Sequence, residues 1–157
     1  MSEAAAAAHA TFESQIGQDQ GAGDWFEMTQ DRIDQFADVT IDHQFIHVDP
    51  EAAKASPFGT TIAHGFLTLS MLTHLSTSIP QDPETLKGVI MGVNYGFDKV
   101  RFVAPVPSGS RIRASAVIKS AELKGSSVNV TRTYTIEVEG SDKPAVVADW
   151  ITRLTYG

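Results

Sequence analysis

From Gly88 to the C-terminus apolar and polar residues alternate with a period of two, the mark of strands with one buried face. Val89, Met91, Val93, Tyr95 and Phe97 fall on one side of a first strand, and Ile112, Ala114, Ala116 and Ile118 on one side of a second. In a third, Val128, Val130, Tyr134, Ile136 and Val138 oppose Asn129, Thr131, Thr133, Thr135, Glu137 and Glu139. A last strand over Ala145–Tyr156 aligns Val146, Ala148, Trp150, Leu154 and Tyr156. Turn sequences separate these runs at Pro107-Ser108-Gly109, Lys124-Gly125-Ser126 and Glu139-Gly140-Ser141. Such spacing predicts an antiparallel meander.

Upstream the pattern changes. The spacing predicts a helix from His64 to Ser78, in which Phe66, Leu67, Leu69, Met71, Leu72 and Leu75 scatter round the circumference at ~100° steps. The residues between are small hydroxyls (Thr68, Ser70, Thr73 and Ser76) that can bond back to the preceding turn. A helix apolar on every side is a buried helix. Before it, Asp49-Pro50-Glu51 reads as N-cap, N1 proline and first-turn acid of a short helix that Ser56-Pro57 ends. Phe58–Thr61 then forms a loop. Thr29 is placed to cap a helix over Gln30–Val39, and Asp24–Met28 reads as a short strand. Residues 1–23 read as an extension: the Ala4–Ala8 run favours helix, but an isolated helix this short is marginal, so fraying is expected to Thr11. Residues 24–157 are expected to form a single domain.

One buried helix and five or six long antiparallel strands with one apolar face make an α+β fold in which the sheet curls round the helix, the hot-dog arrangement. One such layer leaves helix surface and a sheet edge uncovered, which predicts a homodimer.

Composition narrows the function. The 157 residues carry a net charge of −7 and no cysteine, which argues against general nucleic-acid binding and removes thiolate chemistry and disulfides. The most apolar window, Ile62–Ile79, is interrupted by His64, Thr68, Ser70, Thr73 and His74 and is too polar to span a membrane. No basic residue precedes Arg32, so a secretory or transit leader is not expected, and the expected location is the cytoplasm.

Candidate chemistry concentrates between Asp42 and Leu75, which holds four of the five histidines. Asp42 and His47 lie ~140° apart on a helix and on opposite faces of a strand, so they converge only if the backbone between them is bent. The alternative is an exposed acid and a capping histidine. His64-Gly65 opens the predicted helix, where an unpaired N–H approached closely through glycine could hold a carbonyl oxygen gaining charge. The alternative is that Gly65 permits tight packing against a strand. His43, His47, Asp49 and His64 also allow a metal-ligand reading. His74, Ser70 and Ser76 read as core or contact residues. Lys99, Arg101, Arg111, Arg113 and Lys119 form a basic strip with no acid between Lys99 and Lys119, a seat for phosphates or simply a solvated face.

The run Asp42-His43-Gln44-Phe45-Ile46-His47-Val48-Asp49-Pro50, followed by Pro57-Phe58-Gly59-Thr60-Thr61-Ile62-Ala63-His64-Gly65, resembles the MaoC-like (R)-specific enoyl-CoA hydratases, in particular their NodN-like branch of (3R)-hydroxyacyl-thioester dehydratases. Asn94–Phe102 and Pro105–Ser110 resemble the same branch. The resemblance implies a hot-dog homodimer without a cofactor or metal. It also implies a CoA or carrier-protein thioester substrate, Asp42 and His47 as the catalytic pair, and the Gly65 amide as oxyanion donor. Ile62, Ala63, His64, Asn94 and Tyr95 become substrate-binding candidates, with Lys99 and Arg101 from the basic strip. Many relatives read Asp-x-Asn-Pro-x-His where this chain has Gln44 and Phe45, a change that bears on chain-length preference. Competing readings are a hot-dog thioesterase, a non-catalytic acyl-thioester binder and a metal oxygenase.

Overall fold

The computed structural model describes residues 2–157. In chain order it comprises α1 (Glu3–Ser14), β1 (Asp19–Ala22), β2 (Phe26–Glu27), α2 (Gln30–Thr40), α3 (Phe45–Val48) and α4 (Pro50–Ala53). There follow α5 (Gly65–Ser70), α6 (Leu72–Leu75) with a 3₁₀ turn at Ser76–Ser78, α7 (Pro83–Leu86), β3 (Val89–Phe102), β4 (Arg111–Lys124), β5 (Ser127–Val138) and β6 (Val146–Tyr156). The six strands form one antiparallel sheet in the order β1-β4-β5-β6-β3, with β2 also on β4. This is the α+β hot-dog fold: the α5–α6 run lies against one face of the sheet.

The meander β4-β5-β6 follows the alternation in the sequence. Ile112, Ala114, Ala116, Ile118, Val128, Val130, Tyr134, Ile136, Val146, Ala148 and Trp150 all point to the buried face. Gly109, Gly125 and Gly140 turn with φ of 81°, 64° and 77°, a region L side chains avoid. Thr29 caps α2, its hydroxyl accepting from the Arg32 N–H, and Asp49 caps α4 by accepting from the Glu51 and Ala52 amides.

Four expectations need correction. First, α1 is not frayed: Ala5, Ala8 and Phe12 are buried against Ile118, Val128, Val130 and Tyr156, and tertiary packing supplies what a short helix lacks. Second, the Asp24–Met28 strand shrinks to Phe26–Glu27, while Asp19–Ala22, unrecognised in the sequence, pairs with β4.

Third, β3 does not keep its five apolar residues on one face. Register shifts at Val89/Met91, Asn94/Gly96 and Phe97/Lys99 each insert a residue and invert the alternation. Asn94 therefore pairs with Thr152 and Phe97 with Trp150 on the helix side, and Val93 pairs with Arg153 on the other. Fourth, the central helix starts at Gly65 and is buried on one side only. Leu67, Thr68, Met71, Leu72 and Leu75 face the sheet, whereas Phe66 is 70% exposed and Ser70, Thr73 and His74 are exposed too. The sheet of one chain covers half the helix.

Candidate active site

Helix α2 ends on Ile41, which adopts φ 60°, ψ 30°. That left-handed conformation is costly for a β-branched residue, on the order of 1–2 kcal/mol, and no packing explains it, because Ile41 is 83% exposed. Its effect is to reverse the chain so that Asp42 turns back toward α3. Asp42 is then held from across the site: the buried His64 Nε2–H donates to the Asp42 carbonyl at 2.9 Å, with the Asp42 carboxylate 4.0 Å away.

His47 sits on α3, 7% exposed. Its Nδ1 lies 2.7 Å from the Ile62 carbonyl, and since a carbonyl only accepts, Nδ1 carries the proton and Nε2 keeps its lone pair. The α3 backbone is tied down by Gln30, whose Nε2 donates to the His47 carbonyl at 2.7 Å while its Oε1 accepts from the Thr61 hydroxyl. Burial lowers the His47 pKa, the neighbouring His64 lowers it further, and the Ile62 bond and Asp42 oppose them without prevailing. The His47 and His64 rings stack with centroids 3.8 Å apart and planes at 24°. A ligand atom from each of Asp42, His47 and His64 falls within 4.8 Å of the others.

Gly65 follows directly. As the first residue of α5 its N–H has no carbonyl one turn earlier to donate to. Two cavities meet here, sharing His47, Gly65 and Phe102. One, of about 260 Å³, is walled by Phe58, Ile62, Ala63, Thr68 and Val106; the other, of about 550 Å³, by Phe36, Thr40, Asp42, His64 and Phe66. A lone-pair nitrogen, a carboxylate and an unpaired amide thus face one apolar-walled space, a constellation suited to moving a proton beside a polarised carbonyl.

A model of the MaoC-like domain matches residues 11–140. The chain belongs to the MaoC-like dehydratase family. Among its relatives in that family is 3-hydroxyacyl-thioester dehydratase Z of Mycobacterium tuberculosis, 52% identical over 138 residues, 87% of this chain and 89% of that protein. Another is Nodulation protein N of Rhizobium leguminosarum bv. viciae, 49% identical over 147 residues, 91% of this chain and 88% of that one. The fold matches the (R)-hydratase from A. caviae with a TM-score of 0.68 at 23% identity, covering 87% of this chain and 94% of that structure.

Within this MaoC-like fold, Asp42, His47, Gly65, Ile62, Ala63 and His64 come together. Asn94, Tyr95, Lys99 and Arg101 do not join them. Asn94 borders other cavities near the far end of the helix, and Tyr95 lies under the Arg153 guanidinium at 4.0 Å. Lys99 and Arg101 pair with Asp149 and Val147 on the face turned away from the helix. The basic strip is largely neutralised: Arg111 pairs with Glu139, Arg113 with Glu137 at 2.7 Å and Lys119 with Asp149 at 2.5 Å. Of the metal-ligand set read from sequence, His43 turns away to Asp38 at 2.8 Å and Asp49 is spent on its cap, while His47 and His64 stay together with Asp42 beside them. Sequence reasoning missed Phe102, Gln30 and Thr61. Phe102 closes the Asn94–Phe102 run and could have been found there; Gln30 left no signal.

Proposed function

We propose that this chain catalyses the reversible addition of water to a trans-2-enoyl thioester, giving the (R)-3-hydroxyacyl thioester, and the reverse dehydration. The chain is a hydro-lyase of the dehydratase/hydratase class, as its relatives' names indicate. The observation that carries the mechanism is the convergence of the His47 Nε2 lone pair, the Asp42 carboxylate and the Gly65 amide where the two cavities meet.

In this reading the thioester carbonyl oxygen rests on the Gly65 N–H, and enolate charge that develops there is stabilised by the helix N-terminus. Asp42 and neutral His47 hold one water. His47 Nε2 takes its proton as the oxygen bonds to C3, and the pair returns a proton to C2 on the same face, so the elements of water add across the double bond. Positioned acid–base groups of this kind supply ~10²–10⁴ in rate. The cofactor is none beyond the substrate's own CoA or carrier-protein arm. Ile62, Ala63 and His64 wall the site. Asn94, Tyr95, Lys99 and Arg101 enter through a second copy: β3 is an edge strand with Ile90, Met91, Tyr95 and Phe102 each at least half exposed, which supports a homodimer across that edge. Among the described residues no helix is long and apolar enough to cross a membrane, in keeping with a substrate met in solution.

Decay of enoyl-thioester absorbance on mixing with enoyl-CoAs tests the reading. Asp42→Asn and His47→Gln should each lose ~10²-fold or more in kcat. Equal rates for wild type and Asp42→Asn, or release of free thiol from saturated acyl-CoA as the main reaction, would overturn it.

A further inference from the structure

The buried face of the sheet has two coverings, and they do not meet. Helix α1 covers the end near Ile118, Val128 and Val130, and α5–α6 covers the end near Ala114, Tyr134 and Ile136. Between them stands Arg132, paired with Ile118 on one side and Trp150 on the other. It occupies a core-facing position in the alternation of β5, where every other residue is apolar. Arg132 is only 7% exposed, yet among the described residues it has no carboxylate within salt-bridge distance; its aromatic neighbour is the Phe12 ring, 5.4 Å from the guanidinium.

A buried guanidinium without a counter-charge is expensive, because desolvation is not repaid. Burial lowers its pKa, and the titratable groups that oppose this are the Tyr134 and Tyr156 phenols rather than any acid. Two further polar atoms beside it lack partners: the Trp150 indole N–H and the Thr152 hydroxyl. All three residues line one cavity of about 320 Å³, into which Asn94 also faces. A neighbouring cavity of about 320 Å³ shares Thr73, Asn94 and Trp150 with it and adds the apolar Leu69, Leu72 and Phe97. The pair offers a cationic, donor-rich end and an apolar approach.

We propose that this cleft is a binding site for an organic carboxylate, its head on Arg132, Trp150 and Thr152 and its hydrocarbon body along Leu72 and Phe97. Guanidinium and donor-only indole suit an acceptor-only head group, and no acid of this chain competes for it. The carboxylate can belong to a free medium-chain acid or to the far end of an acyl thioester. The second source rests on the proposed reaction; the first does not.

Trp150 lines both cavities, so its emission in a Trp25→Phe background reports occupancy. Octanoate should bind saturably, about tenfold or more tighter than octan-1-ol, and Arg132→Met should abolish that preference, as expected for a charge-assisted hydrogen bond. Thr152→Val, which leaves the charge in place, should weaken octanoate by a smaller factor and guards against a folding failure of Arg132→Met. In the second arm, the ratio of kcat/KM for an ω-carboxy enoyl-CoA to that for the methyl-ended enoyl-CoA of equal length should fall about tenfold in Arg132→Met. Octanoate binding unchanged in Arg132→Met, or lost in His47→Gln instead, together with an unchanged ratio, overturns the site. If the methyl-ended substrate is not turned over at all, the proposed reaction fails while the octanoate arm still decides the site.

Discussion

Replacing Gly65 by alanine separates the two roles open to that residue. A methyl group built on Gly65 would lie 3.0 Å from Cδ1 and Cε1 of Phe102 and 3.3 Å from its Cγ. Ordinary contact begins near 3.4 Å, so the ring must retreat by a few tenths of an ångström. Phe102 is 50% exposed at the end of the edge strand, so it has room to move. Alanine also exceeds glycine in helix propensity by up to ~1 kcal/mol. The two terms oppose each other, and folding stability should change by less than about 1 kcal/mol.

Activity should behave differently. The new methyl stands where the two cavities join and holds a thioester oxygen off the amide. Losing one oxyanion donor is worth about 2.7–4 kcal/mol, so kcat should fall ~10²–10³-fold. The assay is stopped-flow decay of enoyl-CoA absorbance alongside urea unfolding of the same preparations. Phe102→Leu added to Gly65→Ala should restore any lost stability but not turnover. Wild-type kcat in a normally stable Gly65→Ala protein would refute the oxyanion role. Destabilisation beyond about 2 kcal/mol, rescued together with activity by Phe102→Leu, would show that the glycine serves packing against β3.

Three other outcomes follow from the same geometry. Because burial holds the His47 pKa below its unfolded value of 6.5, the unfolded chain binds the extra proton first as pH falls. This contribution to stability is therefore complete above about pH 6.5 and declines as the pH drops from there toward the folded pKa, a slope that urea titrations should find reduced in His47→Gln. Ile41→Gly should relieve left-handed strain and offset glycine's own entropy cost, leaving stability within about 1 kcal/mol of wild type while kcat falls through a looser Asp42; unchanged kcat would mean that the Ile41 turn does not position the acid. Phe12→Ala, at a site 1% exposed, should cost about 3–5 kcal/mol in denaturant unfolding, and a loss below about 1 kcal/mol would contradict the docking of α1.

The residues explain what could be read in advance. The β4-β5-β6 alternation and the Thr29 and Asp49 caps are local signals, and the structure follows them. Strand β3 has the same alternation but three register shifts, which depend on partner strands and leave no mark in the chain itself, so the facing of Tyr95 and Lys99 was not legible. The approach of Asp42 to His47 required only a bent backbone in the sequence; the bend resides in one left-handed isoleucine that no propensity favours. Arg132 interrupts the apolar series of β5 and went unnoticed in the sequence; its lack of a partner emerges only once Ile118, Trp150 and Phe12 surround it.

The packing of α1 also orders events in time. Its seat is made of Ile118, Val128, Val130 and Tyr156, and its start lies beside the other terminus, with the Ser2 hydroxyl donating to the Gly157 carbonyl at 3.3 Å. On a ribosome adding ~5–20 residues per second, roughly 7–30 s pass between synthesis of Phe12 and of Tyr156. For that interval the alanine-rich segment is a marginal helix with nothing to bind. Docking of α1 therefore cannot be complete on the nascent chain before Tyr156 has been made, and a segment synthesised early is secured late.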